Sequence, residues 1–281
     1  MTRYGQRLAR YARFVRVGMA LIVLIGLARF AAGVTGVPYE RATHLLSVTI
    51  TTMVLAVVYG GRAAATGFGG YRHLLPMVVM LALAMYGFIV AAILVEGLGG
   101  IHGYFHAPGR GLAPGGMSVL SHIGGQLLAM TFSIGPFWLL AAVGFALSRY
   151  LYFLRPAVVM LGVVAAAWVA AGLAGAPDAI GTWVTILTLV AMLLALYYGY
   201  RARAYGFMRL GDVAVLGIVL ATALGVLVIY GIAVTTGTAP LTRGHLQLSL
   251  AGIVMMIALS AIGFATGKRQ AALAGTLGVP D

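Results

Sequence analysis

Tyr59-Gly-Gly-Arg-Ala-Ala-Ala-Thr-Gly-Phe68 returns later in the chain as Tyr198-Gly-Tyr-Arg-Ala-Arg-Ala-Tyr-Gly-Phe207, ungapped and identical at seven of ten positions. The same offset pairs Phe14 with Phe153, Arg16 with Arg155, Gly33 with Gly172, Gly36 with Gly175 and Pro38 with Pro177. Further on, Gly144-Phe-Ala146 matches Gly263-Phe-Ala265, so only the loop before that segment differs in length. Landmarks that recur over half of a chain predict an internal duplication. The copies are residues 1–150 and 151–281. In a duplicated membrane protein, the functional site sits inside a half or between the halves.

Composition decides the solvent. Hydrophobic residues make up 62% of the 281 and charged residues 8%, and the mean hydropathy is +1.04. A soluble domain of this size cannot cover its surface with so few charges, which predicts an integral membrane protein. The apolar stretches are about 20 residues long, the length a helix needs to cross the hydrocarbon core. They run continuously instead of alternating, so helices are expected and not a β-barrel. Eight spans are predicted, at 15–35, 44–62, 74–97, 120–148, 154–174, 181–201, 211–236 and 245–266. Four fall in each copy, giving an all-α fold of two four-helix bundles.

The basic residues orient the bundles. Arg3, Arg7, Arg10, Arg13, Arg16, Arg62, Arg72, Arg149, Arg155, Arg201, Arg203, Arg209, Lys268 and Arg269 fall on one side. Only Arg29, Arg41, Arg110 and Arg243 fall toward the other. This asymmetry predicts cytoplasmic termini, in the cytoplasmic (inner) membrane of a prokaryote. An even number of spans per copy makes the repeat parallel. The net charge of +13 is then a topology signal from loops facing lipid headgroups, and no nucleic-acid partner is expected. With no cysteine in the chain, disulfides, thiolate metal sites and c-type haem attachment are excluded. The basic start from Arg3 to Arg16 enters an apolar span without a small-residue cleavage site, which reads as a retained first helix. The outer loop from Glu96 to Gly116, rich in Gly and Pro and holding His102, His106 and Arg110, is long enough to be functional or disordered.

Ionisable groups at membrane depth are expensive and therefore candidates for function. His44 opens the second span, His122 the fourth and His245 the eighth, all from the outer side. His73 lies at the cytoplasmic start of the third span, beside Arg72, and reads as interfacial. Two histidines at matching depth on the second and fourth spans of one bundle suit a b-type haem, whose iron takes a neutral imidazole on each face. Gly124 and Gly125 follow His122 and would let a flat macrocycle approach. Ser47 and Gln126, near one turn on, would orient rings or propionates. The outer arginines Arg29, Arg41, Arg110 and Arg243 are the natural partners of the propionates. The plainer alternative is that each histidine is an interfacial residue bonded to a loop carbonyl.

This layout resembles the haem A synthase family: eight spans in two parallel four-helix bundles, with a histidine at the outer end of the second and fourth span of a bundle. That family has an arginine ending the first span and a glutamate shortly before the histidine of the second. Here Arg29 stands near the end of the first span, and Pro38-Tyr-Glu40-Arg-Ala-Thr-His44 leads into the second. Ser121-His122 opens the fourth span and Gly244-His245 the eighth. The resemblance implies haem b held by His44 and His122, haem O and haem A as substrate and product, and His245 as a second-bundle ligand. It also implies that Glu40 stabilises a cationic intermediate or relays a proton near the reacting edge. Pairing with Arg41 or Arg29 is the structural alternative for Glu40.

The chain departs from the family pattern in three places. Glu40 precedes His44 by four residues instead of three. The sixth span carries Trp183 beside Thr182 where the family has a histidine, so His245 lacks its expected partner. The outer cysteine pair of many members is absent. The repeated Tyr-Gly-x-Arg-Ala turn reads as a structural reversal at Gly67 and Gly206, and Gly135-Pro136 as a helix kink. Three functions stay open. One is a haem-modifying oxidoreductase, and the second a cytochrome b-like or quinol-reactive subunit of a redox complex. The third is an accessory subunit that kept the fold without a cofactor.

Overall fold

The computed structural model of the chain describes residues 2–3, 6–39, 42, 46–106, 118–174, 180–207, 209–236 and 252–267. Long helices dominate. They are α1 (Leu8–Val34), α2 (Val48–Ala65), α3 (Leu74–Gly99) and α4 (Val119–Ala146), then α5 (Ser148–Leu173), α6 (Ile180–Ala202) and α7 (Leu210–Thr236). Among the described residues these seven are long and apolar enough to cross a membrane, the architecture of a helical, multi-pass membrane protein. A shorter apolar helix, α8, covers Gly252–Gly267. The span expected at 245–266 thus begins outside the described residues. Pro136 lies inside α4, which continues through it to Ala146. A two-residue antiparallel pairing of Thr2–Arg3 with Gln6–Arg7 precedes α1.

The chain divides into two compact units, Met1–Arg149 and Tyr150–Asp281. In the first, α2 packs on α4 and α3, while α3 also contacts α1 and α4. The α2–α4 crossing is built on glycine. A Cβ added to Gly60 would collide with the backbone of Ala141, and one added to Gly144 with the backbone of Val57. Helices in lipid gain little from apolar burial as such, so close backbone approach through small residues supplies the packing. In the second unit Gly199 meets the backbone of Ser260, and Gly263 that of Leu196, so α6 and α8 meet through the same pair of glycines.

The quoted motif proves to be a helix terminus, formed twice. After α2, Gly67 takes φ +62°, and the Phe68 N–H donates to the Ala63 carbonyl at 3.0 Å. After α6 and a 3-10 turn at Arg203–Tyr205, Gly206 takes φ +77°, and the Phe207 N–H donates to Ala202 at 3.0 Å. A left-handed glycine followed by a back-folded hydrophobe closes a helix and satisfies its last carbonyls. Each phenylalanine then packs on an aromatic residue of the unit's first helix: Phe14–Phe68 centroids are 4.3 Å apart and Phe153–Phe207 centroids 5.0 Å.

One more equivalence joins the units. Tyr11 and His73 share a hydrogen bond of 2.7 Å between the hydroxyl and Nδ1, and the Tyr150 hydroxyl donates to Asp212 at 2.7 Å. His73 stands at the same offset from Asp212 as Tyr11 from Tyr150. His73 is buried at this contact, which takes up its Nδ1.

Candidate functional site

The polar residues of the first unit's other end are organised by the last turn of α3. Gly100 adopts φ +64° and turns the chain back over the helix end. Glu96, 3% exposed, then captures the returning strand: its Oε2 accepts the N–H groups of Phe105 at 2.8 Å and His106 at 2.7 Å. Gly103 lies directly on Oε1, where any Cβ would clash. Buried polar groups are as a rule bonded within the protein; here Oε2 serves two backbone donors, while the buried Oε1 has no hydrogen-bond partner among the described residues.

The segment held in this way is aromatic. Phe105 is buried between Phe30, with centroids 6.5 Å apart, and Phe88, at 5.9 Å. The Tyr104 hydroxyl donates to the Val37 carbonyl, and its ring meets Tyr39 edge-on at 5.4 Å. Arg29, buried in α1, lays its guanidinium 5.7 Å from the Phe105 ring centre and 5.8 Å from that of Tyr39, and bonds the Tyr39 side chain. Residues 101–106 thus plug this end of the unit, with a cation-stacked aromatic cluster beneath.

His106 carries the plug to α4. Ser118 caps that helix, its side chain accepting the Ser121 N–H at 3.2 Å, which sets His122 in the first turn. His122 is 2% exposed. Its Nδ1 lies 3.2 Å from His106 Nδ1 and its Nε2 lies 3.3 Å from Gln126 Nε2. The two imidazoles stack at 30° with centroids 5.5 Å apart. An assignment that satisfies both contacts has the Gln126 amide donating to the His122 Nε2 lone pair, and His122 Nδ1–H donating to His106. Glu96, His106, His122 and Gln126 form one connected string.

This arrangement limits how a haem could be held. A metal–imidazole bond is about 2.0–2.1 Å long, so two ligand nitrogens on opposite faces of an iron stand roughly 4 Å apart. At 3.2 Å, the Nδ1 atoms of His106 and His122 bond each other directly and leave no room for an iron between them. The pair fits a different division of labour. His106 fixes the His122 ring through Nδ1, the kind of support a metal-bound histidine receives, while Nε2 is taken by the Gln126 amide and would face a metal only with that side chain turned away. Beside it, Gly124 and Gly125 have nothing within 4 Å of where a Cβ would stand. His122 thus combines a ring fixed at Nδ1 with open space beside the glycines that follow it. Among the described residues no three histidine, cysteine, aspartate or glutamate side chains converge on a metal-ion site.

Of the residues singled out in the sequence, His122 and Arg29 are placed in or beside this cluster. Glu40, Arg41, His44, Arg110, Arg243 and His245 lie outside the described residues. Ser47 caps α2, accepting the Ile50 N–H at 3.3 Å. His102 is exposed. In the sequence Glu96 marks only the start of the outer loop and His106 lies within it. The signal for Glu96 is its position as the one carboxylate in α3, followed within seven residues by four glycines that allow a tight return. Comparison with protein-family models, with curated proteins and with solved structures finds no match to this chain.

Proposed function

We propose that the first unit is a haem-binding site of a membrane oxidoreductase, in which His122 would hold the iron through Nε2 once the Gln126 amide turns aside, with His106 holding its ring. The observation that carries this reading is a fully buried histidine whose Nδ1 is fixed by a second imidazole, on a helix turn followed by two unobstructed glycines. A haem there would supply one-electron redox chemistry. His44 is the proposed opposite ligand, Arg29, Arg41 and Arg110 the proposed propionate partners, and Glu40 the acid nearest them in sequence. The wider reading has eight spans in two parallel, duplicated four-helix bundles, with both termini on the cytoplasmic side of a prokaryotic inner membrane. The equivalent glycine crossings and helix termini of the two units support the duplication.

The resemblance to haem A synthase makes conversion of haem O to haem A the first activity to assay, in a host lacking its own synthase. A quinol-reactive or cytochrome b-like subunit of a redox complex is the second reading. The buried His106–His122 imidazole contact favours it, because oxidising a quinol requires groups that take up its protons. Trp183 at the offset of His44 leaves His245 without a bis-histidine partner and restricts the proposal to the first unit.

His122→Ala is expected to lose most of its bound haem, measured by pyridine haemochrome on the detergent-purified protein, while His73→Ala keeps wild-type content. His106→Ala is expected to retain haem with a shifted reduction potential, since loss of a supporting partner costs about 10–100-fold in affinity. Equal haem content in His122→Ala and His73→Ala would remove His122 as a ligand.

A further inference from the structure

The opposite end of the first unit holds a second, unrelated site. An open cleft of about 560 Å³ lies between α1 and the end of α2, and its polar lining is Thr66 and four arginines: Arg10, Arg13, Arg16 and Arg62. Like charges three residues apart on a helix repel, so Arg10, Arg13 and Arg16 disfavour one another unless an anion joins them. Among the described residues no carboxylate does so. Glu96 is held at the far end of the unit, and Asp212 accepts from Tyr150 in the other. The guanidinium groups instead rest on aromatic faces, Arg10 at 5.2 Å from the Phe68 centre and Arg62 at 5.0 Å from that of Phe14.

The second unit provides an internal control. Arg201 stands at the offset of Arg62, and there Tyr197 and Tyr205 replace Val58 and Thr66. Arg201 donates to the Tyr197 hydroxyl at 2.9 Å and to the Tyr205 hydroxyl at 3.3 Å, and it stacks on both rings. Two of its five N–H donors are thus taken up within the protein, one at each terminal nitrogen. In the first unit Thr66 turns its hydroxyl onto the backbone carbonyl of Arg62 at 2.8 Å and leaves the guanidinium to the cleft. The same motif therefore occurs once with its arginine clamped and once with it open.

We propose that this cleft binds a phosphate oxyanion, presented by the headgroup of an anionic phospholipid. Guanidinium forks match phosphate oxygens in pairs and are less strongly hydrated than an ammonium, which suits a partly apolar site. Phe14, Phe68 and the exposed Val17 supply walls for the glycerol and upper acyl carbons. A soluble phosphate would use the arginines alone and gain nothing from those walls.

The test measures binding by the full chain in detergent, by native mass spectrometry and thermal shift, with cardiolipin, phosphatidylcholine and inorganic phosphate as separate probes. Cardiolipin is expected to bind and stabilise the protein, and phosphatidylcholine not to. Arg13→Ala combined with Arg62→Ala is expected to weaken cardiolipin roughly 30-fold, at about one basic residue's worth of headgroup attraction each. Val58→Tyr with Thr66→Tyr, which copies the clamp of the second unit onto exposed positions, is expected to weaken it comparably without removing a charge. Arg201→Ala should bind as wild type. Stabilisation by phosphate alone, lost in the same variants, would keep the oxyanion site and assign it a soluble ligand. Undiminished cardiolipin binding in both double variants would overturn the proposal.

Discussion

Glu96→Ala is expected to destabilise the first unit by about 3 kcal/mol, since each buried donor left unsatisfied costs on the order of 1–3 kcal/mol. The carboxyl accepts two backbone N–H groups from Phe105 and His106, and neither is offered another acceptor by the apolar cluster around it. The loss should be local first: hydrogen exchange at the Phe105 and His106 amides should quicken far more than in the middle of α3. Glu96→Gln keeps an acceptor oxygen and should lose about 1 kcal/mol. Because His106 is carried by this segment, the alanine variant should also loosen the contact with His122. Unchanged protection of the two amides in Glu96→Ala would show that the plug is held by its aromatic packing alone.

Gly60→Val should be the most damaging substitution in the helix core, at about 3 kcal/mol, the upper end of what overpacking costs. The reason is the identity of the obstacle. The new side chain would meet the Ala141 backbone, which cannot rotate away as a side chain can, so α2 and α4 must separate along their crossing. Gly144→Val should act alike against Val57, and the two changes should not add, since the first already parts the helices. Gly87 in α3, with nothing within 4 Å of its would-be Cβ, supplies the control. Gly87→Ala should be neutral or stabilising by about 0.5–1 kcal/mol through helix propensity. Thermal denaturation in detergent measures all three, and equal midpoints for Gly60→Val and Gly87→Ala would contradict the glycine crossing.

The helices were legible because lipid imposes a length and a composition that a sequence displays directly. The seven long helices lie where the apolar runs stand; α1 and α5 start about six or seven residues earlier, in basic turns that the apolar runs do not cover, and Ser47 and Ser118 cap the starts of α2 and α4. The repeated motif was legible as a reversal at Gly67 and Gly206. Its other half was not: Gly60 and Gly199 act through partners on α4 and α8, separated from them by a loop whose length differs between the copies. In that shorter offset, set by Gly144 and Gly263, His245 aligns with Gln126 and not with His122.

The site was legible only in part. His122 stood out because histidine is costly at membrane depth. Glu96 and His106 did not, because a charged residue at the end of a span and a histidine in a loop are ordinary at an interface. Their role depends on a chain reversal at Gly100 that brings residues ten apart together. The basic cleft was hidden for a related reason. Its arginines belong to the count that orients the protein, and only the tyrosines at 197 and 205 distinguish a clamped arginine from an open one.

The most direct test of a haem site in the first unit is the absorption spectrum of the purified protein from haem-replete cells, oxidised and dithionite-reduced. Low-spin b-type bands, present in wild type and lost in His122→Ala, are the expected result. A colourless wild-type protein would contradict the haem site.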